Sequence, residues 1–336
     1  MLLPLATGED RREASGVVGS DVGLLRGLVK DGRPLLTLSG LMLVAFGGFA
    51  LFLSVRGEFL PHDIRFLGAS ASELCSLAQC RVAHFMFHDR VAFGGALVAI
   101  GVLYMWLAEF PLERGEAWAW WTLVASAIVG FGSFLTYLGY GYLDTWHGMG
   151  TLVLLPLFVT GATRSFHALP GPRSPSVLLT GGAWGPWRSA AGLGRLLLLA
   201  VAAGMCLAGG TIMVVGMSTV FVPQDLEFIG LSSAQLDVIN PRLVPLIAHD
   251  RAGFGGGIGS CGVAVLLCVW CGSPMRSLRQ ALGVAGAAGF GAAIGVHFVI
   301  GYTSFVHLLP AYLGCAMYLA GLALCGSGSG TVGARR

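Results

Sequence analysis

The chain has 336 residues, 55% of them hydrophobic and only 11% charged, with a mean hydropathy of +0.77 and a formal net charge of +3. A soluble domain carries about 25% charged residues, so the composition excludes an ordinary water-soluble fold and makes the lipid bilayer the first partner. There is no P-loop, no strand-associated dinucleotide fingerprint and no basic face of the kind that binds nucleic acid.

The N-terminal stretch MLLPLATGEDRREAS has too short an apolar run and too much acid for a cleaved signal peptide. Residues 1–33 read as a largely disordered tail. Eight apolar runs follow, at about 35–55, 82–108, 118–140, 144–163, 195–219, 242–271, 280–301 and 303–325, each near the roughly 20 residues a helix needs to cross a bilayer. Residues 164–194, rich in Pro, Gly and Ser, form a linker between the fourth and fifth runs, and 326–336 form a short C-terminal tail. With the N-terminus inside, only Arg56, Arg65, Arg81, Arg90, Arg242 and Arg251 of the 20 Lys and Arg residues fall outside. The positive-inside rule therefore places both termini in the cytoplasm, in a plasma or inner membrane.

The chain repeats itself. HDRVAFGG (88–95) recurs as HDRAGFGG (249–256), FLPHDIRFLG (59–68) as FVPQDLEFIG (221–230), and Gly141-Tyr142 with His147 as Gly301-Tyr302 with His307. The halves, 34–163 and 195–325, are thus one four-span unit duplicated. Four is even, so both copies share an orientation, as in parallel repeats. The expected fold is an all-α integral membrane protein: eight transmembrane helices as two tandem, parallel four-helix bundles. Each first outer loop carries a capping-box pattern, Ser70-x-x-Glu73 and Ser232-x-x-Gln235, which predicts a short surface helix. Asn240-Pro241 reads as the start of the sixth span.

This topology gathers histidines. His88 and His147 lie in the outer half of one expected bundle, and His249 and His307 in the other. Two imidazoles projecting inward from opposed helices suit a six-coordinate haem, and bundle cores are where such sites are built. Arg90 and Arg251, with Arg81 and Arg242 further out, are candidates for its propionates, with Asp89 and Asp250 as orienting groups. Gly94, Gly95 and 255–257 leave room either for a flat macrocycle or for close helix packing. His84, one turn before His88, is an alternative ligand or supporting group, and His297, in the place of Tyr137, marks a polar pocket. His62 and His167 read as solvated loop residues. Asp63 and Asp225 either cap the loop or shape an outer entrance. Cys75 and Cys80 form a disulfide only if the helix ends between them. Cys268-x-x-Cys271 alone is weak evidence for zinc, and Cys206, Cys261, Cys315 and Cys325 read as apolar packers.

Eight spans in two four-helix units, two histidines per unit on its second and fourth helices, and a cysteine pair in the first outer loop resemble heme A synthase. The resemblance implies haem held by His88 and His147 in one half and by His249 and His307 in the other, a haem-dependent oxidoreductase, and a membrane electron donor or quinone as partner. It also implies pairing of Cys75 with Cys80. The family's Glu-x-x-His-Arg is not matched: Phe85 and Leu246 stand where its glutamate would be, and an aspartate separates His from Arg in both copies. Three other readings compete: a transporter with a cavity between the halves, a copper or zinc site of His and Asp between the repeats, and a structural role in which HDR only pins helix ends.

Overall fold

A computed structural model describes residues 31–135, 142 and 145–327. Most of the N-terminal tail, the end of the C-terminal tail and the end of the expected third span lie outside these. The described residues are all-helical. In the first half α1 (Arg33–Arg56) is followed by the short α2 (Pro61–Leu67) and α3 (Ala71–Leu74), then α4 (Arg81–Glu109), α5 (Ala117–Ser133) and α6 (Thr145–Ala168). In the second half α7 (Ala190–Gly216), α8 (Pro223–Ile229), α9 (Ser233–Ile239), α10 (Leu243–Cys271), α11 (Arg276–Ile300) and α12 (Phe305–Ser327) repeat that order. Seven helices are long and apolar enough to cross a membrane, and α5, at 17 residues, is shorter. The chain is thus a multi-pass integral membrane protein.

Local chemistry explains the short elements. Ser70 and Ser232 accept from the backbone N–H of Glu73 and Gln235, whose side chains accept in return from the serine N–H groups, so both capping boxes form. In α2 and α8 a proline opens the helix, an aspartate side chain accepts from the N-cap N–H, and a left-handed glycine closes it (Gly68, φ 69°; Gly230, φ 76°). After α3 the chain turns through Ala78, Gln79 and Cys80, all left-handed (φ 47–66°). The helix therefore ends between Cys75 and Cys80, and the two are joined by a disulfide. The sixth span starts at Leu243, slightly later than Asn240-Pro241 suggested; Asn240 closes α9 and its side chain accepts from the N–H of Arg242.

The four-helix units are not separate bundles. α4 packs on its own first span, α1, and α10 on α7, but α11 packs against α4 and α5 against α10. The third span of each half crosses to the other half. The two glycines of each FGG dictate this. A Cβ on Gly94 would stand 3.0 Å from the Gly47 carbonyl oxygen of α1, and one on Gly255 2.8 Å from that of Gly209 in α7. Gly95 instead receives α11, with Ala292 Cβ 2.4 Å from a Cβ placed there, and Gly256 receives α5, with Ser133 Cβ at 2.1 Å. Lipid is as apolar as leucine, so helices in a bilayer associate where small residues let backbones approach. The first glycine of each pair takes the partner from its own half and the second takes one from the other. These glycines are filled by helix crossings, not by space for a macrocycle.

The linker is shorter than expected, because α6 continues to Ala168 and α7 begins at Ala190. It is docked against the protein. Gly182 N–H donates to the Trp270 carbonyl (2.7 Å) and Trp184 Nε1–H to the Gly272 carbonyl (2.6 Å). The Arg195 guanidinium lies 4.9–5.8 Å from the rings of Trp184, Trp187 and Trp270 and donates to the Trp270 carbonyl. This arginine seals the end opposite the HDR motifs by cation–π and hydrogen-bond contacts.

Candidate functional site

The two HDR motifs sit side by side on α4 and α10, and their charges are exchanged between the halves. Arg90 of α4 pairs with Asp250 of α10 (2.9 Å) and with Asp63 of α2 (2.7 Å). Arg251 of α10 pairs with Asp89 of α4 (3.3 Å) and with Asp225 of α8 (2.7 Å). All six side chains are largely buried, and each arginine is held between a carboxylate of its own half and one from the other. The outer arginines do the same with backbone: Arg242 donates to the Phe66 carbonyl (2.7 Å) and Arg81 to that of Phe228 (3.4 Å). Where haem propionates were expected, Arg90 and Arg251 thus meet carboxylates of this chain, and Arg81 and Arg242 its backbone carbonyls. Asp89 and Asp250 do orient, but they orient guanidiniums, and Asp89 also His88.

The histidines cross as well. His88 lies with His297 (ring centroids 4.4 Å) and His307 (6.0 Å) from α11 and α12. His249 lies with His147 of α6 (5.7 Å) and with Tyr142 (4.8 Å). The expected pairs, His88 with His147 and His249 with His307, are not formed. The reason is the swapped third span: α11 packs on α4, so His307 at the start of α12, just after the turn, meets His88, although α12 itself packs along α7 of its own half.

In the cluster on His88, one ring nitrogen from each of His88, His297 and His307 lies within 4.8 Å of the other two. The remaining nitrogens are engaged. His297 Nδ1–H donates to the Ala293 carbonyl (2.6 Å), since a carbonyl only accepts. Tyr302 Oη–H donates to the ion-paired Asp225 carboxylate (2.8 Å), so its oxygen accepts from His307 Nδ1–H (3.2 Å). His88 Nδ1 lies 2.9 Å from Asp89 Oδ1, where a carboxylate requires a donor. Each ring thus keeps its lone pair on Nε2. His88 Nε2 and His297 Nε2 stand 3.0 Å apart. Two lone pairs do not face each other at that distance without a proton or a cation between them. Nearby, the carboxylates of Asp89 and Asp225 face the single guanidinium of Arg251, leaving one formal negative charge.

The other cluster borders a small cleft whose walls include Leu53, Asp63, Arg90, Phe93, His147 and His249. Phe93 and Phe134 stand against the His147 ring at 6.0 and 6.2 Å. Tyr142 donates to Asp63 in a short hydrogen bond, and His62 Nε2 lies 3.3 Å from the same carboxylate. His62 is 7% exposed, so it belongs to the site and not to a solvated loop. Burial by itself raises the Asp63 carboxyl, but Arg90, the Tyr142 hydroxyl and His62 outweigh it and hold the acid below its usual range.

Comparison of the chain with protein-family models, curated proteins and solved structures finds no match. The site is therefore read from its own geometry.

A haem fits neither cluster well. His297 and Tyr302 pack on His88 and His307, leaving no slot for a macrocycle between those two rings. His147 and His249 are better spaced, but propionates there would meet Asp63 and Asp250 with Arg90 already paired. His84 is half-buried and makes no hydrogen bond or ion pair among the described residues. His167 is exposed, but in the last turn of α6 and not in the expected loop, and Cys268 and Cys271 are buried and free. His297 is less conspicuous in the sequence than the other two because its repeat equivalent is Tyr137; its signal is that it is the one histidine of its span, on the same side as His307.

Proposed function

We propose that this chain is a membrane metalloprotein in which His88, His297 and His307 hold one transition-metal ion between the two repeats, near the outer face. One observation carries the reading: one ring nitrogen from each of the three histidines lies within 4.8 Å of the other two, while Nδ1 of each has a partner in Asp89, the Ala293 carbonyl or Tyr302. Ligating histidines are oriented in this way by carboxylates and carbonyls behind them. Two imidazole nitrogens on a tetrahedral zinc at about 2.0–2.1 Å would be about 3.3 Å apart, so the 3.0 Å contact of His88 with His297 needs only a small opening. Neutral imidazoles suit zinc or copper, and the residual negative charge beside Arg251 favours a cation. Three protein ligands leave a fourth position for water or substrate, the arrangement of catalytic rather than structural zinc sites. The eight-span, parallel-repeat topology with cytoplasmic termini, supported by the sequence duplication and the distribution of arginine, puts this chemistry on the outer side.

The test is metal content of protein purified in detergent without chelator or affinity nickel, from cells grown with added zinc or copper, together with oxidised and reduced absorbance spectra. About one zinc or copper per chain, lost in His297→Ala and His307→Ala, is the expected result. Metal-free protein that takes up no zinc or copper on dialysis would overturn the reading and leave a shared proton between His88 and His297. A Soret band lost on changing His147 or His249 would restore the haem reading.

A further inference from the structure

The duplicated halves differ in charge at the end opposite the HDR motifs. Gly32-Arg33 at the start of α1 recurs as Gly194-Arg195 in α7, but the two arginines are neutralised differently. Arg33 pairs with Asp31 (2.8 Å) and Glu113 (3.5 Å), and Arg114 of the same half pairs with Glu116 (2.6 Å). Arg195 is only 5% exposed and has no carboxylate: it donates to the carbonyls of Trp270 (2.6 Å) and Gly182 (3.4 Å), and its Nε has no hydrogen-bond partner. Its own half has no acid to offer, since no Asp or Glu occurs in residues 145–224 or 251–336, which supply the linker and this end of α7, α10, α11 and α12. A buried charge left without a counter-ion is costly.

The surroundings add charge of the same sign. Arg188 and Arg276 are exposed. Arg279 donates to the Cys325 carbonyl (3.1 Å), its Nε also lacks a partner, and the Cys325 thiol lies 3.9 Å from the Ala191 carbonyl, one turn before Arg195. The Arg195 guanidinium also lies just beneath the surface. Gly181 is exposed, and a Cβ there would stand 3.0 Å from Arg195 Nη2. Trp187, whose ring faces the guanidinium, is half exposed, and Leu193 and Leu196 of α7 point outward beside it.

We propose that this end of the second repeat binds the headgroup of an anionic phospholipid, the phosphate approaching Arg195 and Arg188 past Gly181 and the acyl chains lying along Leu193 and Leu196. Tryptophan at headgroup level and clustered arginine at a helix end are how a protein recognises such a headgroup. The proposed orientation puts this end in the cytoplasmic leaflet, where anionic lipids concentrate. Charge complementarity selects the lipid: the phosphate of an anionic lipid supplies the missing counter-ion, whereas a zwitterionic lipid brings its own ammonium group. No residue of the histidine clusters is involved, so this inference does not rest on the metal reading.

The experiment displaces a fluorescently tailed phosphatidylglycerol from the purified full chain in detergent, using dilauroyl phosphatidylglycerol, dilauroyl phosphatidylcholine or inorganic phosphate. Gly181→Asp sets a carboxylate beside Arg195, and Gly181→Asn sets the same shape there without charge. Arg188→Gln with Arg276→Gln removes two exposed charges and leaves the buried contacts alone, which keeps the test open if Gly181→Asp does not fold. Arg114→Gln is the control in the first half. At about fivefold per surface charge, wild type, Gly181→Asn and Arg114→Gln should all prefer phosphatidylglycerol to phosphatidylcholine by about fivefold or more. Gly181→Asp and the double variant should lose most of that preference. Equal competition by phosphatidylcholine, a preference unchanged in Gly181→Asp and in the double variant, an equal loss in Gly181→Asn, or displacement by inorganic phosphate at the lipid's own concentration would each overturn the proposal.

Discussion

Removing Arg90 isolates what the exchanged ion pairs contribute. Its guanidinium, 15% exposed, lies between Asp63 (2% exposed) and Asp250 (8%) at 2.7 and 2.9 Å. Arg90→Met keeps the length of the stem and leaves two buried carboxylates without their cation. Breaking one buried pair in this way costs about 3–5 kcal/mol, because the stranded charge is not compensated. At 1.4 kcal/mol per tenfold, the folded-to-unfolded ratio should fall at least a hundredfold. Asp250→Leu should cost less, since Arg90 keeps Asp63. The double variant Arg90→Met/Asp250→Leu should be less destabilised than the sum of the singles, with a coupling of about 1–3 kcal/mol. Reversible unfolding in mixed micelles, followed by helical circular dichroism, reads each value. Arg90→Met within 1 kcal/mol of wild type, or strict additivity in the double variant, would refute the claim that these charges are mutually dependent and that they join the two halves.

The same logic extends to the glycines: Gly256→Leu, which drives a side chain into Ser133, should unfold or dissociate the halves, whereas Gly48→Leu, with nothing within 4 Å of its Cβ position, should leave the melting temperature within a few degrees. Asp63 sets an acid limit. Its folded-state carboxyl is held below its ordinary value, so its contribution is complete above the unfolded value of about 3.9 and is lost as pH falls through the lower folded one. Melting temperature should therefore stay level from pH 7 to 5 and drop below about pH 4, with a shallower acid limb in Asp63→Asn. The disulfide closes a loop of sequence separation 5, which in the chain-entropy treatment is worth about 2 kcal/mol; reduction, or Cys75→Ser with Cys80→Ser, should cost that much, and no change in unfolding free energy would mean the turn is held by its own backbone contacts.

Much of this protein was legible in one dimension because the signals are local. Span positions follow from runs of apolar residues, and seven helices long enough to cross a membrane stand within about five residues of the runs expected, while the third, α5, ends at Ser133, short of the expected 140. The capping boxes are set by residues three apart on one chain segment, and both form. The duplication identified His88, His249 and the HDR motifs as the places where a nearly chargeless chain keeps its charges. What the sequence alone could not say is which copy each charge faces. Periodicity fixes the face a helix buries but not the helix it buries against. In a duplicated chain Arg90 has equivalent carboxylates in both halves, and His88 has an equivalent partner in either fourth span, so self-pairing and cross-pairing share one local pattern. Tertiary packing decided between them, through Gly95 against Ala292 and Gly256 against Ser133. Those two approaches, available only where no side chain intervenes, carry the third spans across and bring His297, and with it His307 at the start of the fourth span, to His88.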